Sequence, residues 1–127
     1  MKDATLLAGR ILLALIFIIS GWGKIGGYAG SQQYMESMGV SGALLPLVII
    51  AELGGGLAVA FGLFTRIAAV GLAGFSLLAA AFFHTDFANP AQFISFMKNL
   101  AIAGGFLVLA AHGAGALSID AWRARHK

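Results

Sequence analysis

Four apolar blocks, each close to the length needed to cross a bilayer, constrain this chain more than any other feature. A hydrocarbon core takes about 20 mostly apolar helical residues at a rise of about 1.5 Å each. Stretches 6–23, 44–64, 67–83 and 96–117 each approach that length. Arg10 sits near the start of the first, Glu52 interrupts the second, and Lys98 and Asn99 stand near the entrance of the fourth. The third carries no charge. Pro46 falls in the first turn of the second block, where a missing N–H costs little, and Pro90 falls in a loop. These features predict an all-α fold, an integral membrane four-helix bundle, with residues 1–127 forming a single domain.

Composition excludes the alternatives. The chain is 60% hydrophobic and 10% charged, whereas a soluble domain carries about a quarter charged residues. Its net charge of +3 is not a nucleic-acid footprint, because the basic residues gather at the ends of the apolar blocks. With no cysteine in the sequence, disulfides, thiolate metal sites and dithiol exchange are all excluded. The first block resembles a signal peptide only superficially. Trp22 and Lys24 follow it where small residues would mark a cleavage site, so it reads as an uncleaved anchor.

The basic residues predict an orientation. Four crossings put Lys2, Arg10, Arg66, Arg123, Arg125 and Lys127 on one side and only Lys24 and Lys98 on the other. The positive-inside rule then places both termini in the cytoplasm. Residues 25–42 and 85–95 face outward on this scheme. They mix polar and aromatic side chains and read as short helices or loops over the outer mouth of the bundle. The pairs Arg10-Ile11 and Arg66-Ile67 fit two related helical hairpins, and fit coincidence in a low-complexity apolar chain at least as well.

Every charge inside a membrane helix needs an account, because insertion scales put its cost at about 2.5–3.5 kcal/mol. Glu52 lies roughly 12 Å along its helix from the outer end, too deep for a short side chain to reach water. It must face the bundle interior. Two readings stand side by side: a carboxylate that handles protons or orients a ligand, and a structural partner for a basic residue. Arg10, about one turn inside its helix, either snorkels to the interface or reaches inward toward Glu52. Lys24 and Lys98 are interfacial anchors or, with His84 and Asn99, an electropositive hydrogen-bonding rim above Glu52. His84 caps its helix or serves as a quinone-carbonyl donor or proton relay. No histidine spacing suits a metal or a haem, so no metal site is expected.

The ordered set Gly9-Arg10, Ser20-Gly21-Trp22-Gly23-Lys24, Glu52-Leu53-Gly54-Gly55-Gly56, Gly62-Leu63-Phe64-Thr65-Arg66, Lys98-Asn99-Leu100, Gly104-Gly105 and Ser118-Ile119-Asp120 resembles the DoxX family. Resemblance implies a small four-helix protein of the bacterial or archaeal cytoplasmic membrane. The family's namesake is similar to a subunit of a thiosulfate:quinone oxidoreductase, and other members are linked to membrane oxidoreductase complexes in oxidative-stress defence. It also implies signature positions at Arg10, Lys24, Glu52, Lys98 and Asn99.

The expectation is therefore a quinone-associated component of a membrane oxidoreductase system, with no covalently bound cofactor. Arg10, Lys24, Glu52, His84, Lys98 and Asn99 are the ligand-binding candidates, Glu52 and His84 the catalytic ones. The alternative is a non-enzymatic scaffold, or a carrier for a lipid or small solute, with Glu52 serving helix packing. Expected partners are the bilayer and oxidoreductase subunits. The glycine-rich helix faces suit a homo-oligomer or internal packing equally.

Overall fold

The computed structural model describes residues 2–126; Lys127, counted above among the basic residues, lies outside the described residues. Six helical segments follow one another: α1 (Lys2–Gly26), α2 (Tyr28–Ser37), α3 (Gly42–Phe61), α4 (Thr65–Phe83), α5 (Pro90–His112) and α6 (Ile119–Arg125). Of these, α1, α3, α4 and α5 are long and apolar enough to cross a membrane. The chain is an all-helical membrane bundle.

Helix ends are set by local chemistry that the apolar blocks do not record. Pro90 is not in a loop. It opens α5, and Asn89 caps that helix by accepting from the backbone N–H of Ala91 at 3.0 Å, an arrangement that suits proline because the first-turn N–H has no partner in any case. At the other end Gly113, with φ of +91°, stops α5 five residues before the block of apolar residues ends. Residues 118–125 were not foreseen as structured. Ser118 starts α6 there by accepting from the N–H of Ala121 at 3.1 Å.

Only a narrow stripe of each long helix turns inward. In α1 it is Arg10, Ala14, Phe17 and Gly21, the three- and four-residue spacing of one helical face. Packing is most extensive between α4 and α5 and between α1 and α3. Phe17 forms edge-to-face contacts with Phe106 and Phe75 at centroid distances of 5.5 and 6.3 Å, and small residues such as Ala14, Ala69, Ala73 and Ala103 fill the core around them. The α1–α3 seam depends on two glycines. A methyl group at Gly21 would stand 2.9 Å from the Leu53 backbone nitrogen, and one at Gly56 would stand 2.9 Å from Ile18.

One turn of α3, Ile50–Gly54, is a π-helix. A π turn holds one residue more than an α turn, which rotates the side chains after it relative to those before it. Glu52 lies at its centre and is buried.

At the end of the bundle holding both termini, the backbone is locked by side chains far apart in sequence. Gly62 adopts φ of +71° to end α3, and Phe64, a non-glycine residue, adopts φ of +49° before α4 begins. Asp120 stabilises that bend. Its two carboxylate oxygens accept from the N–H groups of Phe64 and Thr65 at 2.8 and 2.9 Å, while its own N–H donates to the Gly62 carbonyl at 2.8 Å. Arg123 lies over the Phe64 ring at 5.0 Å.

Arg10 belongs to the same lock and neither snorkels nor reaches toward Glu52. It is 2% exposed, and its guanidinium donates to the carbonyls of Leu117, Ala114 and Ala60 at 2.8, 3.0 and 3.4 Å. Helix C-termini leave carbonyls unpaired and carry partial negative charge. The cation meets a carbonyl in the last turn of α3 and two in the connection that follows α5, in a medium where water cannot.

The lock generates two predictions. Gly62→Ala combines a left-handed backbone with a methyl group 2.3 Å from Ser118 Cβ and 2.6 Å from Arg10 Nη1. Thermal melting of the detergent-solubilised variant is expected to show a loss of about 2–4 kcal/mol, or no folded protein. Burial alone would push the Asp120 carboxyl up, but hydrogen bonds from Thr65 and Phe64 and the charge of Arg123 together hold it below its ordinary value. A depressed acid stabilises the fold above its unfolded pKa and loses that contribution as pH falls through its folded one. Stability should therefore fall as pH drops below about 4, and Asp120→Asn should flatten that decline in melting curves recorded against pH.

Candidate functional site

At the opposite end of the bundle the helices part around a cavity of about 700 Å³. Its wall is mainly aromatic and aliphatic, with contributions from α1, α3, α4 and α5. Residues of α2, among them Tyr34 and Met35, also line it. Tyr34 stacks on Phe83 of α4 with ring centroids 5.5 Å apart, and Gln32 donates to the Gly42 carbonyl at 3.1 Å, tying α2 to the start of α3. The expected outer piece 25–42 is thus largely a helix, and it bounds the cavity.

Into this apolar wall the fold sets a small group of polar side chains. Lys24, near the end of α1, meets Glu52 at 2.6 Å, with the lysine side chain 27% and the glutamate side chain 6% exposed. Lys24 also donates to Ser20 Oγ, one helical turn earlier, at 2.7 Å. The ammonium approaches Glu52 Oε1 as a charge contact and not along a hydrogen-bond line. From α5, Asn99 Nδ2 donates to the Ser76 carbonyl of α4 at 3.2 Å. Ser76 itself is 2% exposed, and its hydroxyl has no hydrogen-bond partner among the described residues. His84, half-buried where α4 ends, completes the set.

The six candidates therefore divide. Lys24, Glu52, His84 and Asn99 line one cavity. Arg10 stands about 21 Å from Lys24 along α1 by helical rise, in the lock at the far end. Lys98 is exposed and does not line the cavity, because neighbours on a helix point about 100° apart and Asn99 takes the inward direction. Sequence reasoning passed over Ser20 and Ser76. The signals were slight: Ser20 lies four residues before Lys24, and Ser76 is the one polar residue in the uncharged third block.

A dry wall with few polar groups suits an amphipathic molecule whose apolar body packs on rings and whose head meets the polar cluster. The described residues hold no group of three or more metal-ligating side chains.

The DoxX family model matches residues 5–85. The chain belongs to the DoxX family. It is 58% identical over 120 residues to the Escherichia coli K12 inner membrane protein YqjF, across 94% of this chain and 92% of that one. It is 39% identical over 126 residues to inner membrane protein YphA of the same organism, across 94% and 90%. No solved structure is significantly similar to the chain. The matched residues 5–85 take in Lys24, Glu52, Ser76 and His84, while Asn99 and the Asp120 lock lie beyond them.

Removing one member of a buried ion pair strands the other. Lys24→Met is expected to lower stability in detergent by about 2–4 kcal/mol, and Lys24→Met/Glu52→Gln to recover most of that loss. Thermal melting of the single and double variants measures the coupling. Additive losses would mean that the pair contributes nothing beyond its separate members.

Proposed function

We propose that this protein is a quinone-associated component of an oxidoreductase system in the inner membrane, with both termini in the cytoplasm. The cavity carries the reading. Its volume of about 700 Å³ and its mainly apolar wall suit a substituted ring with an isoprenoid tail. Glu52, Lys24, Asn99 and His84 supply the few polar contacts that orient the head. Ile16, Leu78 and Phe82 line the cavity and are also exposed on the bundle surface, which suits a tail that continues into lipid. On this reading Glu52 and His84 hold or pass protons at the ring oxygens. Electrons come from a partner subunit or a soluble donor, since the chain has no thiol of its own. The names of the two relatives favour the inner membrane.

A second reading, a scaffold or a carrier for a lipid or small solute, draws on the lock. Arg10, Gly62 and Asp120 each hold backbone in place at the end away from the cavity.

Mass spectrometry of the lipid extract from gently purified protein separates the two. The quinone reading expects quinone close to stoichiometric in the wild type and depleted in Glu52→Gln, with both proteins folded. Absence of quinone from both samples would leave the scaffold or carrier.

A further inference from the structure

The terminal end of the bundle carries a groove of its own. Its volume is about 570 Å³, and it lies where α4 begins and α5 gives way to the chain leading to α6. Phe64, Arg66, Ile67, His112, Gly113 and Asp120 are among the residues that line it. Two guanidiniums stand at this groove. Arg66 is exposed, yet its head is seated on the backbone. Nη2 donates to the His112 carbonyl at 3.2 Å, and a methyl group at Gly113 would stand 3.1 Å from Nη2 and 3.2 Å from Nε. The His112 carbonyl takes one N–H of a fork that has several. Arg123 lies over the ring of Phe64 at 5.0 Å. The acid in the groove, Asp120, is already committed, since its oxygens accept from the backbone N–H groups of Phe64 and Thr65. Those bonds also occupy donors at the start of α4. The attraction for an anion therefore comes from the two guanidiniums and not from the helix end.

The groove has an apolar side as well. Phe64 and Ile67 line it and are exposed, and Val70, one turn beyond Ile67, is exposed too. These residues lie at the start and on the outer flank of α4, one of the helices suited to crossing the membrane. Trp122, exposed on α6 next to Arg123, suits the headgroup level of a bilayer. A soluble anion would use none of this apolar surface. We infer that the groove binds an anionic phospholipid, with its phosphate on Arg66 beside Arg123 and an acyl chain along Ile67 and Val70. Arginine forks meet phosphate oxygens in pairs, and basic pockets between helices at the membrane surface hold anionic headgroups. The site lies at the end of the bundle opposite the Glu52 cavity, so it is independent of the quinone reading.

The test is native mass spectrometry of detergent-purified protein incubated with equal amounts of phosphatidylglycerol and phosphatidylcholine carrying identical acyl chains. Wild type is expected to retain the anionic lipid about fivefold over the zwitterionic one, or better. Arg66→Gln should bring that ratio close to one. Arg66→Lys, which keeps the charge and loses the fork, should fall between. Arg123→Gln leaves the His112 contact intact and should lower the ratio as well, which keeps the test decisive if Arg66→Gln does not fold. Arg125→Gln makes the same change of charge at the end of α6, outside the groove, and should leave the ratio unaltered. A wild-type ratio near one would overturn the inference. So would an equal fall in Arg125→Gln, which would reduce the effect to diffuse surface charge. Displacement of the lipid by inorganic phosphate, added during incubation at constant ionic strength, would overturn it too and make the groove a site for a soluble anion.

Discussion

Lipid cannot hydrogen-bond, and the whole structure answers to that fact. Each backbone N–H and C=O at membrane depth needs a partner inside the protein, which is why the chain is helical wherever it is apolar. The same demand explains the irregular places. Where α3 ends and where the chain leaves α5, the carbonyls of Ala60, Ala114 and Leu117 would be left without partners, and the buried guanidinium of Arg10 reaches them. Where the chain turns back from α3 to α4, the free N–H groups of Phe64 and Thr65 are met by the Asp120 carboxylate. A short helix beyond the last crossing is thereby bound to the inside of the fold.

The bundle consequently has two ends of different character. At the terminal end, charges are consumed by the backbone: Arg10 meets three carbonyls and Asp120 two N–H groups. At the other end, Lys24 and Glu52 pair with each other beside a cavity, and Ser76 is left without a partner among the described residues. A π turn places Glu52 at that cavity. π turns interrupt the regular ladder and are common where function requires a particular side-chain direction. The contrast separates residues that hold backbone in place from polar residues that line the cavity.

Small residues make this division feasible in a chain of 127 residues. Lipid supplies no hydrophobic drive between helices, so association rests on close packing. Gly21 and Gly56 bring α1 and α3 together at backbone distance, and alanines do similar service around Phe17 and Phe106. Tight packing in the middle and at one end leaves the remaining space at the other, where α2 lies across it.

The apolar blocks and the placement of charge determined the four crossings, the all-helical class and the inward position of Glu52, because cost in lipid depends on residue type and depth alone. The family resemblance was legible for the same reason that its motifs are costly residues and glycines at fixed order. What tertiary structure decided was who meets whom. Arg10 and Glu52 both needed partners, and nothing in their spacing said that one would take three carbonyls and the other Lys24. Lys98 and Asn99 are neighbours in sequence, yet helical rotation sent only Asn99 to the cavity. Ser76 looked like one tolerated hydroxyl in an apolar helix. In the structure its hydroxyl is buried without a partner among the described residues, and packing between helices, not sequence, sets where such a place forms.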